Sequence, residues 1–177
     1  MPSRRVAIQQ LLFICAGAAV LPSCYRKEEK VSIPLTNIRV SGDQEKMLAE
    51  LAETIIPKTD TPGAKDLSAH LFVLKMVDDC FPKEKQDKFI LGMKEFETFA
   101  EKESGNAFAA GNAEQKQAVV SGIDGRKSRE DNLSFFYQTV KQLTIQAYSS
   151  SQFYLTNIRH YKMIPGKYQG NVPLKAA

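Results

Sequence analysis

The chain has 177 residues, 43% hydrophobic and 25% charged, with 24 Lys+Arg against 20 Asp+Glu and a formal net charge of +4. That length makes one ordinary domain with a real core, and so modest a charge without a dense basic block speaks against nucleic-acid binding. Two His and three Cys, with no Cys-x-x-Cys and no His-Glu-x-x-His, leave little material for a metal or redox centre.

The N-terminus carries an address. Arg4 and Arg5 precede an eleven-residue apolar run, Leu11 to Leu21, and Leu21-Pro22-Ser23-Cys24 follows. The run is too short to span a bilayer as a helix, which takes about 20 residues. Its lack of polar positions at helical period suits a secretory signal better than a buried helix. Leu-Pro-Ser-Cys resembles a bacterial lipobox, with Pro22 departing from the usual small or aliphatic residue. That resemblance implies a signal over residues 1–23, diacylation of Cys24 and attachment to a membrane. Ordinary cleavage that leaves Cys24 a free thiol is the alternative. Ser3-Arg4-Arg5-Val6-Ala7-Ile8-Gln9 is similar to a twin-arginine export signal, departing at Ala7, where Phe or Leu is typical. Such a signal implies export of folded cargo to the periplasmic side of a bacterial envelope. Cleavage before Cys24 would remove Cys15, and with Cys24 lipidated only Cys80 would remain, so no intramolecular disulfide could form.

Residues 24–42 are charged and then weakly alternating, with Pro34 inside, and read as a tether that ends in a short extended piece. The domain proper is assigned to residues 43–177. Ser41 and Gln44 have the spacing of a capping box, and Met47, Leu48, Leu51 and Ile55 form the apolar face of a first helix that Pro57 stops. Lys58 to Lys65 is a loop with Thr61-Pro62-Gly63 as turn chemistry. A second helix is expected over about 67–81, its apolar face including Leu71, Leu74, Val77 and Cys80. Pro82 suits the first position of a third helix, about 83–102, with Phe89, Met93, Phe96 and Ala100 in its buried stripe. Asn112 caps a short fourth helix, 113–121, and a fifth runs over about 129–149 with Leu133, Phe136, Tyr137, Val140, Leu143, Thr144 and Ala147 on one side. The fold class is all-α: a single domain of about five helices with an irregular aromatic tail over 151–177.

Candidate chemistry is sparse. Asp66 and His70 are four apart at the start of the second helix and could share a face, but a metal site needs a third ligand. His160 has no motif-marked nucleophile beside it. Gly166 to Gly170 follows no strand and makes no phosphate loop. No catalytic, cofactor-binding or metal-binding residue is assigned.

The tail is the exception, with Tyr148, Phe153, Tyr154, Tyr161 and Tyr168 within twenty-one residues. Such a segment either packs back on its own bundle or grips another chain, for which Tyr is well suited. The gripping residues would be Tyr154, Tyr161, Ile164, Pro165 and Tyr168. In the first loop, Asp60 would face outward, either as part of a docking surface or on a mere connector.

Glu53-Thr54-Ile55-Ile56-Pro57-Lys58-Thr59-Asp60-Thr61-Pro62-Gly63-Ala64, the export signal, and Ile164-Pro165-Gly166-Lys167-Tyr168-Gln169-Gly170 together resemble the gluconate 2-dehydrogenase subunit 3 family over about Ser41 to Gly170. The resemblance implies a small helical subunit without a cofactor. Its partner would be a large FAD-dependent oxidoreductase of the glucose–methanol–choline type, acting on a sugar or polyol, which the small subunit helps to mature and leave the cytoplasm. FAD and catalysis would belong to that partner, and the resemblance leaves open a cytochrome subunit. The reading from a different class is a free-standing envelope lipoprotein that binds or scaffolds other molecules without a dehydrogenase. An enzyme acting through Asp66, His70 and His160 is the third.

Overall fold

The computed structural model describes residues 30–126, 130–164 and 166. The chain divides into two units, Met1–Lys30 and Val31–Ala177, and the helices among the described residues lie in the second. Five α-helices account for most of it: α1 Gly42–Ile55, α2 Ala69–Cys80, α3 Lys83–Ser104, α4 Ala113–Asp124 and α5 Asn132–Ser149, with a 3-10 turn at Phe108–Ala110. No strand occurs among the described residues, and no described helix is long and apolar enough to cross a membrane. The all-α class is that expected from the apolar periodicity, as are five α-helices among the described residues.

Helix boundaries follow local chemistry. Ser41 and Gln44 form the expected capping box, and Asn112 and Gln115 form a second one at α4. Pro82 precedes α3 rather than occupying its first turn, and its carbonyl accepts from the amides of Lys85 and Gln86. The second helix starts at Ala69, two residues later than expected, because Ser68 sits in the left-handed region at φ +53°. The fourth extends to Asp124 and the fifth begins at Asn132 on an Asp131 cap.

The core is built on α5. Its most extensive packing is against α3, then against α2. Phe89 and Phe96 of α3 pack with tilted rings, at 5.0 and 5.5 Å, respectively, on Phe136 of α5, and Phe108 meets Phe96 edge-on. Gly92 lets the two backbones close, since a Cβ there would lie 2.1 Å from the Asn132 carbonyl oxygen. Tyr137 is buried on the same face and donates to Asp124 at 3.0 Å, joining α5 to the end of α4. Burial and the Asp124 carboxylate both push its phenol pKa up. Cys80 is exposed, not on the buried face of α2, because the helix ends there and the next residue leaves in an extended conformation.

The end of the expected tether belongs to the domain. Residues 31–40 form a strap across the bundle, with Ile38 buried and Val31, Ile33, Leu35 and Val40 packed on the core. Two carboxylates pin it. Glu45 of α1 accepts from the amide and hydroxyl of Ser32 at 2.6 and 2.5 Å. Asp78 of α2 accepts from the amides of Thr36, Asn37 and Ile38 at 2.7–2.9 Å, while Asn37 donates back to the Asp78 carbonyl.

Candidate docking surface

The loop after α1 is organised by one side chain, Glu53. Its carboxylate accepts from the amides of Lys58 and Lys65 at 2.8 and 3.0 Å. Gly63 lies so close that a Cβ would come within 2.5 Å of the Glu53 oxygens and 2.7 Å of the Lys58 nitrogen. A side chain at 63 is therefore excluded whatever its chemistry. Asp66 closes the other flank, accepting from Gly63 N–H at 3.2 Å and pairing with Lys58 at 3.1 Å. The Lys58 ammonium and the Gly63 amide hold the Asp66 carboxyl below its usual pKa. Thr59 N–H donates to the Thr61 carbonyl, completing a fixed turn on which Asp60 is exposed.

Glu53 carries no signal in the sequence because its partners are backbone amides, which have no side-chain signature. Replacing it with Ala should cost about 1–2 kcal/mol locally. Amide exchange at Lys58 and Lys65 should then accelerate about tenfold or more, since 1.4 kcal/mol is a factor of ten. Unchanged protection would refute the assignment.

Small residues bring this loop to the end of α5. Ala52 of α1, Ala64 of the loop and Ala69 of α2 are buried together, with Ile56 and Ala147 of α5 packed against them. Alanine at these positions lets the four segments approach closely. At the same end, Leu67 and Phe72 face Ala147, Phe153 and Thr156 across a trough of about 600 Å³. Beyond Phe72 lies an apolar groove of about 400 Å³ lined by Ile33, Pro34, Leu71 and Lys75.

The tail leaves from the edge of the trough, and its first part is not irregular. Residues 152–158 continue as a helical turn that widens to π geometry over Tyr154–Ile158. Ser151 starts it: its hydroxyl donates to the Tyr148 carbonyl at 2.7 Å and accepts from Tyr154 N–H at 3.2 Å. Tyr154 is half-buried, edge-on to Tyr148 at 5.9 Å. Beyond it Tyr161, Met163 and Ile164 are 58%, 81% and 85% exposed. His160 turns the chain at φ +50°, and Tyr161 N–H donates to the Leu155 carbonyl at 2.7 Å. Pro165 and Tyr168 lie outside the described residues, as do Cys24, Arg4 and Arg5.

The three residues considered for catalysis face different partners. Asp66 belongs to the loop and not to α2, so its four-residue spacing from His70 does not place them on one helix face. His70 instead looks to α1, with Nε2 4.0 Å from the Glu45 carboxylate; burial pushes its pKa down, against the pull of Glu45. His160 is exposed in the tail. Among the described residues no three His, Cys, Asp or Glu are grouped to hold a metal. With no strand among them, the strand–glycine turn–helix cradle for a dinucleotide has no scaffold there.

A family model described as gluconate 2-dehydrogenase subunit 3 matches residues 42–166. The chain belongs to that family. The match runs from the first residue of α1 to the glycine after the exposed tail segment, so the subunit 3 domain includes the fixed loop, the trough and the described tail. No curated protein and no solved structure matches the chain. Membership in the subunit 3 family is consistent with an accessory subunit of a dehydrogenase complex.

Proposed function

We propose that this chain is a non-catalytic accessory subunit that docks on a large FAD-dependent dehydrogenase of the glucose–methanol–choline type, acting on a sugar or polyol. It assists that subunit's maturation and export and holds it at the bacterial membrane. FAD and turnover belong to the large subunit. Arg4 and Arg5 direct export to the periplasmic side and lipid on Cys24 provides the attachment. Asp60, Tyr154, Tyr161, Ile164, Pro165 and Tyr168 form the docking surface.

One observation carries this reading. The fixed loop and the root of the tail, far apart in sequence, meet through Ala64 and Ala147 at one end of the bundle. Both stretches lie within the family match, apart from the residues after 166. Exposed apolar side chains projecting from a well-ordered bundle are what a protein interface requires before its partner arrives.

Deleting the chain after Ser151 tests it. None of residues 154–158 is buried, so the truncated subunit should keep its helicity and melt within a few degrees of the full chain. Flavoprotein recovered with it from membranes should fall to background. Full recovery with the shortened chain would refute the docking role of the tail.

A further inference from the structure

Charge is unevenly distributed along this chain. Residues 132–177 contain five Lys or Arg and no Asp or Glu, whereas residues 1–131 contain nineteen against twenty. In the described part of this stretch Lys141 pairs with Asp124 at 3.2 Å. Arg159 and Lys162 make no side-chain hydrogen bond or ion pair among the described residues, and both are exposed. They alternate with Tyr161, Met163 and Ile164, the most exposed large apolar side chains among the described residues. Unpaired cations set among uncovered apolar groups form a surface that is complete only against something both acidic and apolar.

We infer that the large subunit meets this tail with a carboxylate-bearing surface bordering an apolar pocket, Arg159 and Lys162 pairing with acidic side chains while Tyr161 and Ile164 are buried between them. This rests on the docking role proposed above and specifies the chemistry of the partner's side. A membrane surface offers negative charge too, but the backbone argues for protein. Residues 159–164 are not helical, and Tyr161 follows a left-handed residue at 160. A segment lying in a lipid interface normally satisfies its amides within a helix. A protein pocket can be shaped to a turned segment such as this one, which the Tyr161 N–H to Leu155 carbonyl hydrogen bond holds in place.

The test uses the complex as recovered from membranes. Raising NaCl from about 50 mM to about 500 mM, across which the Debye length falls several-fold, should weaken association at least tenfold. Arg159→Glu with Lys162→Glu should weaken it more than tenfold at low salt and reverse the salt dependence, since salt then screens a repulsion. The helical melt of this variant should match that of the unaltered chain, since both positions are exposed. Tyr161→Ala should weaken association at every salt concentration. Salt-insensitive association that still needs the tail would overturn the acidic-surface inference and leave tail docking standing. Association that survives deletion after Ser151 would overturn both. The full chain and its double-Glu variant would also be compared on vesicles of phosphatidylcholine and phosphatidylglycerol. Loss of vesicle binding in the variant, with the complex intact, would assign the cations to lipid and overturn the inference.

Discussion

Asp78→Ala is expected to destabilise the domain by about 3 kcal/mol, the strap peeling from α2 before the helices melt. Its carboxylate accepts three consecutive amides, and the side chain is fully enclosed. Hydrogen bonds to a charged acceptor contribute about 1.5–3 kcal/mol each. Rehydration of the freed strap limits the total, and for a domain of this size the melting temperature should drop by about 10 °C. Asp78→Asn keeps the shape and one acceptor oxygen, so about half that loss is expected. Burial works against ionisation of Asp78, but the amides of Thr36, Asn37 and Ile38 and the nearby Lys75 outweigh it and hold the carboxyl below its usual pKa. The sign follows: its stabilisation is complete above the ordinary aspartate value of about 3.9 and is lost as pH falls through the lower folded value. The Asn variant should therefore show a shallower acid limb than the wild type. A melt of Asp78→Ala indistinguishable from wild type would show that the strap contributes nothing.

A second large effect is expected at Gly92. An alanine there would place Cβ 2.1 Å from the Asn132 carbonyl oxygen and 2.6 Å from Cβ of Phe136. Neither neighbour is the end of a flexible side chain, so α3 and α5 must move apart along their most extensive contact. The gain of about 1 kcal/mol in helix propensity from replacing a mid-helix glycine is outweighed. A net loss of about 3 kcal/mol is expected, at the upper end of overpacking costs, and valine should be worse. Circular dichroism at 222 nm would follow the melt, and a loss below about 1 kcal/mol would mean that the crossing has slack.

The helices were legible because each is written locally. Ser41 with Gln44 and the apolar face of Met47, Leu48 and Leu51 lie within one turn or two of each other, and so do the stripes of α3 and α5. What the sequence did not disclose depends on partners distant along the chain. The strap looks like a polar linker with scattered aliphatic residues, because the Asp78 that orders it lies about forty residues on. Asp66 and His70 have helical spacing, but one left-handed residue at Ser68 divides them between a loop and a helix. Both resemblance motifs were visible as strings of residues. That Ala64 and Ala147 bring the first of them to the root of the tail was not, since alanine at helical spacing is ordinary in any helix. The widened turn at Tyr154–Ile158 was missed because π geometry has no composition of its own; it arises where Ser151 restarts the hydrogen bonding.

The double pinning of the strap also fixes the order in which the molecule would yield to a pull from its N-terminal side. Tension arriving at residue 30 meets the Ser32–Glu45 clasp first and the three-amide grip of Asp78 next, and only then reaches Gly42, where α1 begins. Each clasp must give way before the backbone of α1 is pulled directly from its N-terminus. The first eleven residues of the domain thus act as a mechanical fuse, a freed strap of about 35 Å at an extended rise of about 3.3 Å per residue, while the bundle and its tail stay folded.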